Sequence, residues 1–352
     1  MPSRVRTILI FVITLALLAF FFRDANLAEV WAETKRANPL LLLLAVGFTL
    51  MTYVLRAWRW QSLLAPIGHT RFTNAFRTTV IGFAATFLLP ARAGEVIRPY
   101  LLARKERLSA TATFATVILE RMLDLAVVLL LFAGFVFTVR PGGLSGEATQ
   151  FAHVKFWGGV AAAVAVAGLL VLFALAGHPE RLGRAAGRVE RVLPARAAEM
   201  IEHFVRAFAK GLAVMRQPGR LLAALLQSFP LWLSIAAGIW LTSRAFHITL
   251  PFTASFLVMT VLVVGVAVPT PGAIGGFHLA YTFAVQTFFA VPDDRAKGAA
   301  LVLHAISFVP VTILGIYFMA RDGLTLRRAQ ALASGDPDRS EPTTDAPGVA
   351  TR

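Results

Sequence analysis

The sequence predicts an all-α polytopic membrane protein, with about seven transmembrane helices plus two re-entrant or broken hairpins. Three observations carry this. Of 352 residues, 57% are hydrophobic and 15% charged, whereas soluble domains average about 25% charged. Apolar runs long enough to cross roughly 30 Å of hydrocarbon recur along the chain. Two of those runs are broken by Pro and Gly, after Leu89 and after Val268.

The elements follow in order. Arg4 and Arg6 precede an apolar run from Thr7 to Phe22. It is long for a signal peptide and no clean cleavage site follows, so it reads as a retained first helix. A polar loop, Arg23 to Asn38, leads to a second helix from Pro39 to Leu55, which leaves the bilayer at Arg56-Ala57-Trp58-Arg59-Trp60. Trp beside Arg marks a headgroup interface, here the cytoplasmic one. The run from Phe72 to Pro90 would put Arg92, Arg98, Arg104, Lys105 and Arg107 outside if it crossed fully. A hairpin returning to the cytoplasmic face fits better, and its Pro90–Pro99 turn then has to line a cavity, since irregular backbone at membrane depth needs cover.

Spans then run from Thr111 to Val139, Phe156 to Ala176, Leu221 to Thr242 and Pro251 to Val268. A second broken region reaches His278, followed by Leu279 to Val291 and a last span from Ala299 to Ala320. Residues 1–328 read as one transmembrane domain. Within it, 177–220 is a basic cytoplasmic connector, with Arg181, Arg184, Arg188 and Arg191 on one helix face. Residues 329–352 read as a disordered cytoplasmic tail, rich in Pro, Asp, Ser and Thr.

The net charge is +15. In this context it points to membrane orientation and anionic lipid, not to nucleic acid. This topology places 22 Lys and Arg inside and 8 outside, which puts both termini in the cytoplasm of an inner-membrane protein. Cys is absent and the seven His are scattered, so no metal or cofactor is expected. No Walker A, nucleophile elbow or dinucleotide fingerprint is present.

Chemistry concentrates between Phe87 and Asp124. Charges inside hydrocarbon-length segments cost about 2.5–3.5 kcal/mol each by insertion scales, so a chain that keeps them uses them. Arg92, Glu95 and Arg98 recur every three residues, and Glu95 and Arg98 share a face on which they can pair. The surplus guanidinium suits a phosphate, whose oxygens match a planar fork. Glu120 and Asp124, four apart, lie on one helix face, with Arg121 about 100° away by helical geometry. Either carboxylate can pair with Arg92 or Arg98. These six are the candidate substrate-binding residues; an architectural ion-pair clamp and a proton relay are the competing readings. Pro90, Gly94, Pro269, Pro271, Gly272, Gly275, Gly276 and His278 are the candidate hinge residues. Paired Pro/Gly breaks in the two halves of a chain mark transporter sites between repeats, although no residue-level repeat is visible.

Three motifs together resemble the lysyl-phosphatidylglycerol synthase transmembrane-domain, or flippase-like, family. They are Pro90-Ala91-Arg92-Ala93-Gly94-Glu95 with Arg98, Glu120-Arg121 with Asp124, and Pro269-Thr270-Pro271-Gly272-Ala273-Ile274-Gly275. The resemblance covers roughly Val5 to Arg328. It implies a polytopic inner-membrane protein. The best-understood members fuse this domain to a soluble aminoacyl-transferase that makes the lipid the membrane domain flips. Only a short tail follows Ala320 here, so the resemblance implies lipid translocation without transferase activity, and a non-enzymatic protein is expected. Many members carry Glu after the second break, where this chain has Phe277-His278. The expected partners are membrane lipids, anionic or lipid-linked, and a separate lipid-modifying enzyme. The alternative function is a membrane transferase acting on a lipid or polyprenyl-phosphate substrate, with Glu120 or Asp124 as general base.

Overall fold

The computed structural model describes residues 3–23, 25–89, 92–138, 207–268 and 270–325, with parts of a helix between 152 and 171. Pro90, Pro269, most of the 177–220 connector and the 329–352 tail lie outside the described residues. Every described element is helical, and the chain is an all-α membrane protein. Among the described residues, four helices are long and apolar enough to cross a bilayer: α3 (Pro39–Leu64), α6 (Ala110–Thr138), α7 (Pro218–Ala245) and α10 (Asp293–Arg321). The others are α1 (Ser3–Phe22), α2 (Leu27–Arg36), α4 (Phe72–Leu88), α5 (Gly94–Glu106), α8 (Ala254–Ala267) and α9 (Gly276–Phe289). Apolar side chains such as Leu40, Leu43, Leu44, Phe48 and Met51 cover the outer face of α3, as hydrocarbon contact requires.

Two local expectations change. The loop from Arg23 to Asn38 contains α2, because Asn26 caps it, accepting from the Ala28 and Glu29 N–H groups at 3.1 and 3.3 Å. α3 does not end at Leu55. It runs to Leu64 and carries Arg56, Arg59 and Trp60 into the interior, with exposures of 7%, 0% and 0%. These residues are not an interface belt; only Trp58, at 47%, faces outward.

The two halves have the same plan. α3 to α6 contain 26, 17, 13 and 29 residues, and α7 to α10 contain 28, 14, 14 and 29. α3 and α7 both begin with Pro in the first turn, where a missing N–H is harmless. A left-handed residue, Arg107 or Ala290, ends α5 and α9 alike. The packing contacts among α3 to α6 and α7 to α10 correspond between the two halves. α4 lies against α10 as α8 lies against α6, and α3 against α10 as α7 against α6. The central pair is α3 on α7. The Asn38 N–H donates to the Ala245 carbonyl at 2.9 Å, the Thr52 and Ser234 hydroxyls meet at 2.7 Å, and Arg59 donates to Ser228 at 2.8 Å. Rising numbers on one helix meet falling numbers on the other, so these helices are antiparallel and the repeat is inverted. The sequence hides it because the matching positions share geometry rather than side chains.

Each half contains one broken hairpin, closed by facing glycines. A Cβ on Gly94 would overlap the Gly82 carbonyl, and one on Gly276 would overlap that of Gly265. Backbones that approach this closely leave room only for hydrogen. The first turn is shorter than expected: Pro99 lies inside α5, buried, and helix resumes at Gly94. In the second break Gly272, Ala273 and Gly275 take positive φ of 60°, 56° and 87°, which turns the chain sharply before α9.

Candidate functional site: an arginine-lined cavity between the repeats

Helical spacing assembles the site. On α3, Arg56, Arg59 and Trp60 fall at i, i+3 and i+4, one face of a helix. Glu120 and Asp124 on α6 and Ser228 and Trp232 on α7 are each four apart. α5 delivers Arg98, whose Cβ sits against Gly82 of α4. Arg98 donates twice to Glu120, Nη1 to Oε1 at 2.9 Å and Nη2 to Oε2 at 3.1 Å. Its guanidinium stacks on the Trp60 ring, 3.8 Å from the centroid. Arg59 donates to Asp124 at 2.5 Å and lies 3.4 Å from Glu120. The Trp232 indole N–H also donates to Asp124, at 2.9 Å. Trp60 is held by its own N–H, donated to Thr116 at 3.0 Å. Arg56 lies between the Phe83 and Trp232 rings, 3.7 Å from Asp124.

Arg56, Arg98, Glu120 and Asp124 expose 7% or less, and Arg59 nothing. Four guanidiniums, with Arg121 as the fourth, meet two carboxylates. Several buried N–H groups have no hydrogen-bond partner among the described residues: Arg56 Nη1, Arg59 Nε and Nη2, Arg98 Nε and Arg121 Nε. Buried donors are rarely left so.

Beside the cluster lies a cavity of about 300 Å³ at the junction of the two repeats. The first repeat lines it with Arg56, Arg92, Arg98, Arg121 and Glu95; the second adds apolar side chains, among them Ile235, Val263, Leu303 and Phe308. It therefore has a cationic wall and a hydrocarbon-like wall.

The structure brings Arg98, Glu120, Arg121 and Asp124 together. Arg92 and Glu95 line the cavity but stand apart from the cluster, 45% and 38% exposed, and face each other at 3.7 Å. Glu95 therefore pairs with Arg92 and not with Arg98, which α6 claims. Arg121 does not point away from the carboxylates. Its side chain folds back to donate to Glu120 at 2.8 Å, with Asp124 at 3.8 Å. Gly94 lies in the cavity wall. Pro271, Gly272, Gly275 and Gly276 shape the second break. His278 is buried behind it, accepting from the Gly275 N–H at 3.3 Å and 4.6 Å from the His304 ring. His304 in turn bonds the Gly272 carbonyl at 2.7 Å. Sequence reasoning missed Arg56, Arg59, Trp60, Ser228 and Trp232. The available signal was the i, i+3, i+4 spacing of two Arg and a Trp, masked by the habit of placing such residues at headgroups.

A family model described as the lysylphosphatidylglycerol synthase TM region matches residues 7–315. The chain belongs to this family. All the site residues named above fall inside the matched region. Two curated archaeal proteins are similar. Glycosyltransferase AglD of Haloferax volcanii is 25% identical over 378 residues, covering 96% of this chain and 57% of that protein. UPF0104 membrane protein MJ1595 of Methanocaldococcus jannaschii is 28% identical over 130 residues, covering 36% of this chain and 38% of that protein. The chain thus spans little more than half the length of one relative and less of the other. The first match overturns the expectation of a non-enzymatic protein, since a relative aligned along nearly all of this chain is named a glycosyltransferase.

Proposed function

We propose that this protein holds the phosphate of a lipid or lipid-linked molecule against Arg56, Arg98 and Arg121 and moves that headgroup across the bilayer. The observation that supports this best is the excess of guanidinium over carboxylate on one wall of a cavity whose opposite wall is apolar. Guanidinium forks bind phosphate through paired, charge-assisted hydrogen bonds. The inverted repeat supports translocation, because binding sites between inverted repeats are those that alternating-access transporters use. In this reading Pro90, Gly94, Pro269, Pro271, Gly272, Gly275, Gly276 and His278 serve the movement of the two hairpins. Arg92 and Glu95 form the lip. The excess of basic residues in the assigned inside loops supports an inner-membrane location with both termini cytoplasmic, and a separate lipid-modifying enzyme is the natural partner.

The glycosyltransferase relative favours a second reading at the same site. There the bound lipid phosphate is the acceptor: its oxygen attacks the anomeric carbon of a nucleoside-diphosphate sugar, the bond from that carbon to the diphosphate oxygen breaks, and the nucleoside diphosphate leaves.

The test is reconstitution of purified protein in vesicles, wild type against Arg98→Ala. Two rates are read: exchange of a labelled anionic lipid between leaflets, and formation of a glycosylated lipid from nucleotide sugars. Arg98-dependent exchange is expected. Arg98-dependent product without exchange would favour transfer. A folded Arg98→Ala protein equal to wild type in both would sink the site.

A further inference from the structure

We infer that the cavity selects a lipid whose phosphate carries two negative charges, a phosphomonoester or diphosphate, over a phosphodiester lipid with one. The inference rests on the anionic-headgroup reading above and deepens it.

The argument is a charge count at one place. Arg56 and Arg59 from α3, Arg98 from α5 and Arg121 from α6 face Glu120 and Asp124 from α6. Ser228 and Trp232 from α7 contribute neutral donors and acceptors only. At the lip Arg92 and Glu95 cancel each other. From the second repeat the cavity is lined by Ile235, Leu262, Val263, Val266, Leu303 and Phe308, among others, and by no ionisable side chain. Among the described residues the site therefore carries a surplus of two positive charges.

A guanidinium does not lose its proton in a protein. The surplus cannot be relieved by titration, as a lysine or histidine would allow. It has to be met by a counter-charge. Glu120 is already committed to Arg98 through both oxygens and to Arg121 through one. Asp124 accepts from Arg59 and Trp232 through Oδ1 alone; its Oδ2 has no hydrogen-bond partner among the described residues and lies 3.7 Å from Arg56 Nη1 and 3.8 Å from Arg121 Nη1. The N–H groups left over include Arg56 Nη1, Arg98 Nε and Arg121 Nε, and all three residues border the cavity. A phosphate dianion with three terminal oxygens, seated against these three residues, answers the charge. A phosphodiester offers one charge and two free oxygens, and leaves part of the site unmatched.

The inverted repeat sharpens the point. With the two 29-residue helices aligned end to end, Leu303, His304 and Ser307 of α10 stand where α6 has Glu120, Arg121 and Asp124. Ala280 meets Gly265 as Arg98 meets Gly82. The charge is confined to one repeat, so a single headgroup binds per chain.

The test compares dioleoyl phosphatidic acid with dioleoyl phosphatidylglycerol, which share their acyl chains and differ in phosphate charge. Purified protein in nanodiscs of zwitterionic lipid is titrated with each, at about pH 8, above the second ionisation of a phosphate monoester near 6. Phosphatidic acid is expected to bind at least about tenfold more tightly. In Arg56→Gln, which removes one surplus charge, that ratio is expected to fall toward one. Equal binding of the two lipids, both lost in Arg98→Ala, would overturn the selectivity and leave the anionic-lipid reading standing. No Arg98-dependent binding of either would remove the reading itself. Inorganic phosphate displacing phosphatidic acid at comparable concentration would show that the site takes free phosphate, and would overturn the lipid assignment. Should Arg56→Gln fail to fold, the wild-type ratio decides alone.

Discussion

Glu120 is fully buried and accepts hydrogen bonds from Arg98 and Arg121, with Arg59 3.4 Å away. Removing its charge leaves buried guanidiniums without their partner. Breaking a buried pair from one side costs about 3–5 kcal/mol, so Glu120→Gln is expected to lower the melting temperature strongly in detergent. Arg56 has the opposite logic. Among the described residues its side chain makes no hydrogen bond, its nearest carboxylate, Asp124, is 3.7 Å away, and it adds to the surplus of positive charge. Arg56→Gln is therefore expected to leave the ligand-free protein as stable as wild type, or more so, while lipid-dependent thermal stabilisation drops. Parallel melting curves with and without added anionic lipid check both. Equal destabilisation by the two variants would show that the cluster is a clamp with no charge to spare.

At the scale of elements, the hairpins depend on two glycine contacts. Gly94→Ala and Gly276→Ala each push a methyl into the facing backbone. Overpacking of this kind costs about 1–3 kcal/mol, and both variants are expected to melt early, while Gly47→Ala, with open space around it, is not. α2 is tied to the start of α10 by another device. Arg295 donates to Glu33 at 2.7 Å, and this hydrogen bond holds the Glu33 carboxyl below its ordinary range. A depressed carboxylate stabilises the fold above the unfolded value, near 4.3, and that contribution is lost as pH falls through the lower folded value. Melting temperature is expected to decline below about pH 4.3, with a shallower decline in Glu33→Gln; identical pH profiles would rule the tie out.

For the whole molecule, the inverted repeat makes a topological prediction. Ser109 and Pro292 occupy the same position in the two halves, in the turn before the long helix, and both are exposed. In an inverted repeat these turns lie on opposite faces of the membrane. The chain has no cysteine, so Ser109→Cys and Pro292→Cys each introduce a single thiol. An impermeant maleimide applied to oriented vesicles is expected to label one from outside and the other only from inside. Labelling of both from the same side would refute the inversion.

Composition and apolar run length alone determined that this chain is a helical membrane protein, because hydrocarbon admits few ways to satisfy a backbone. The breaks after Leu89 and Val268 were legible for a similar reason: Pro and Gly interrupt a helix wherever it lies. Glu120 and Asp124 were legible as site residues because a carboxylate amid Leu and Val has no local excuse. Arg56 and Arg59 were not. They end an apolar run, where a headgroup contact explains them equally well, and only the extension of α3 to Leu64 turns them inward. Partner choice was likewise decided in three dimensions. Spacing offers Glu95 to Arg98, but the approach of α5 to α6 gives Arg98 to Glu120, and Arg92 takes Glu95 instead. The repeat was invisible because its two halves conserve close backbone approaches, between Gly82 and Gly94 and between Gly265 and Gly276, and not side-chain chemistry. Sequence fixes which charges the bilayer must hide; tertiary packing decides which of them meet, and the surplus that remains.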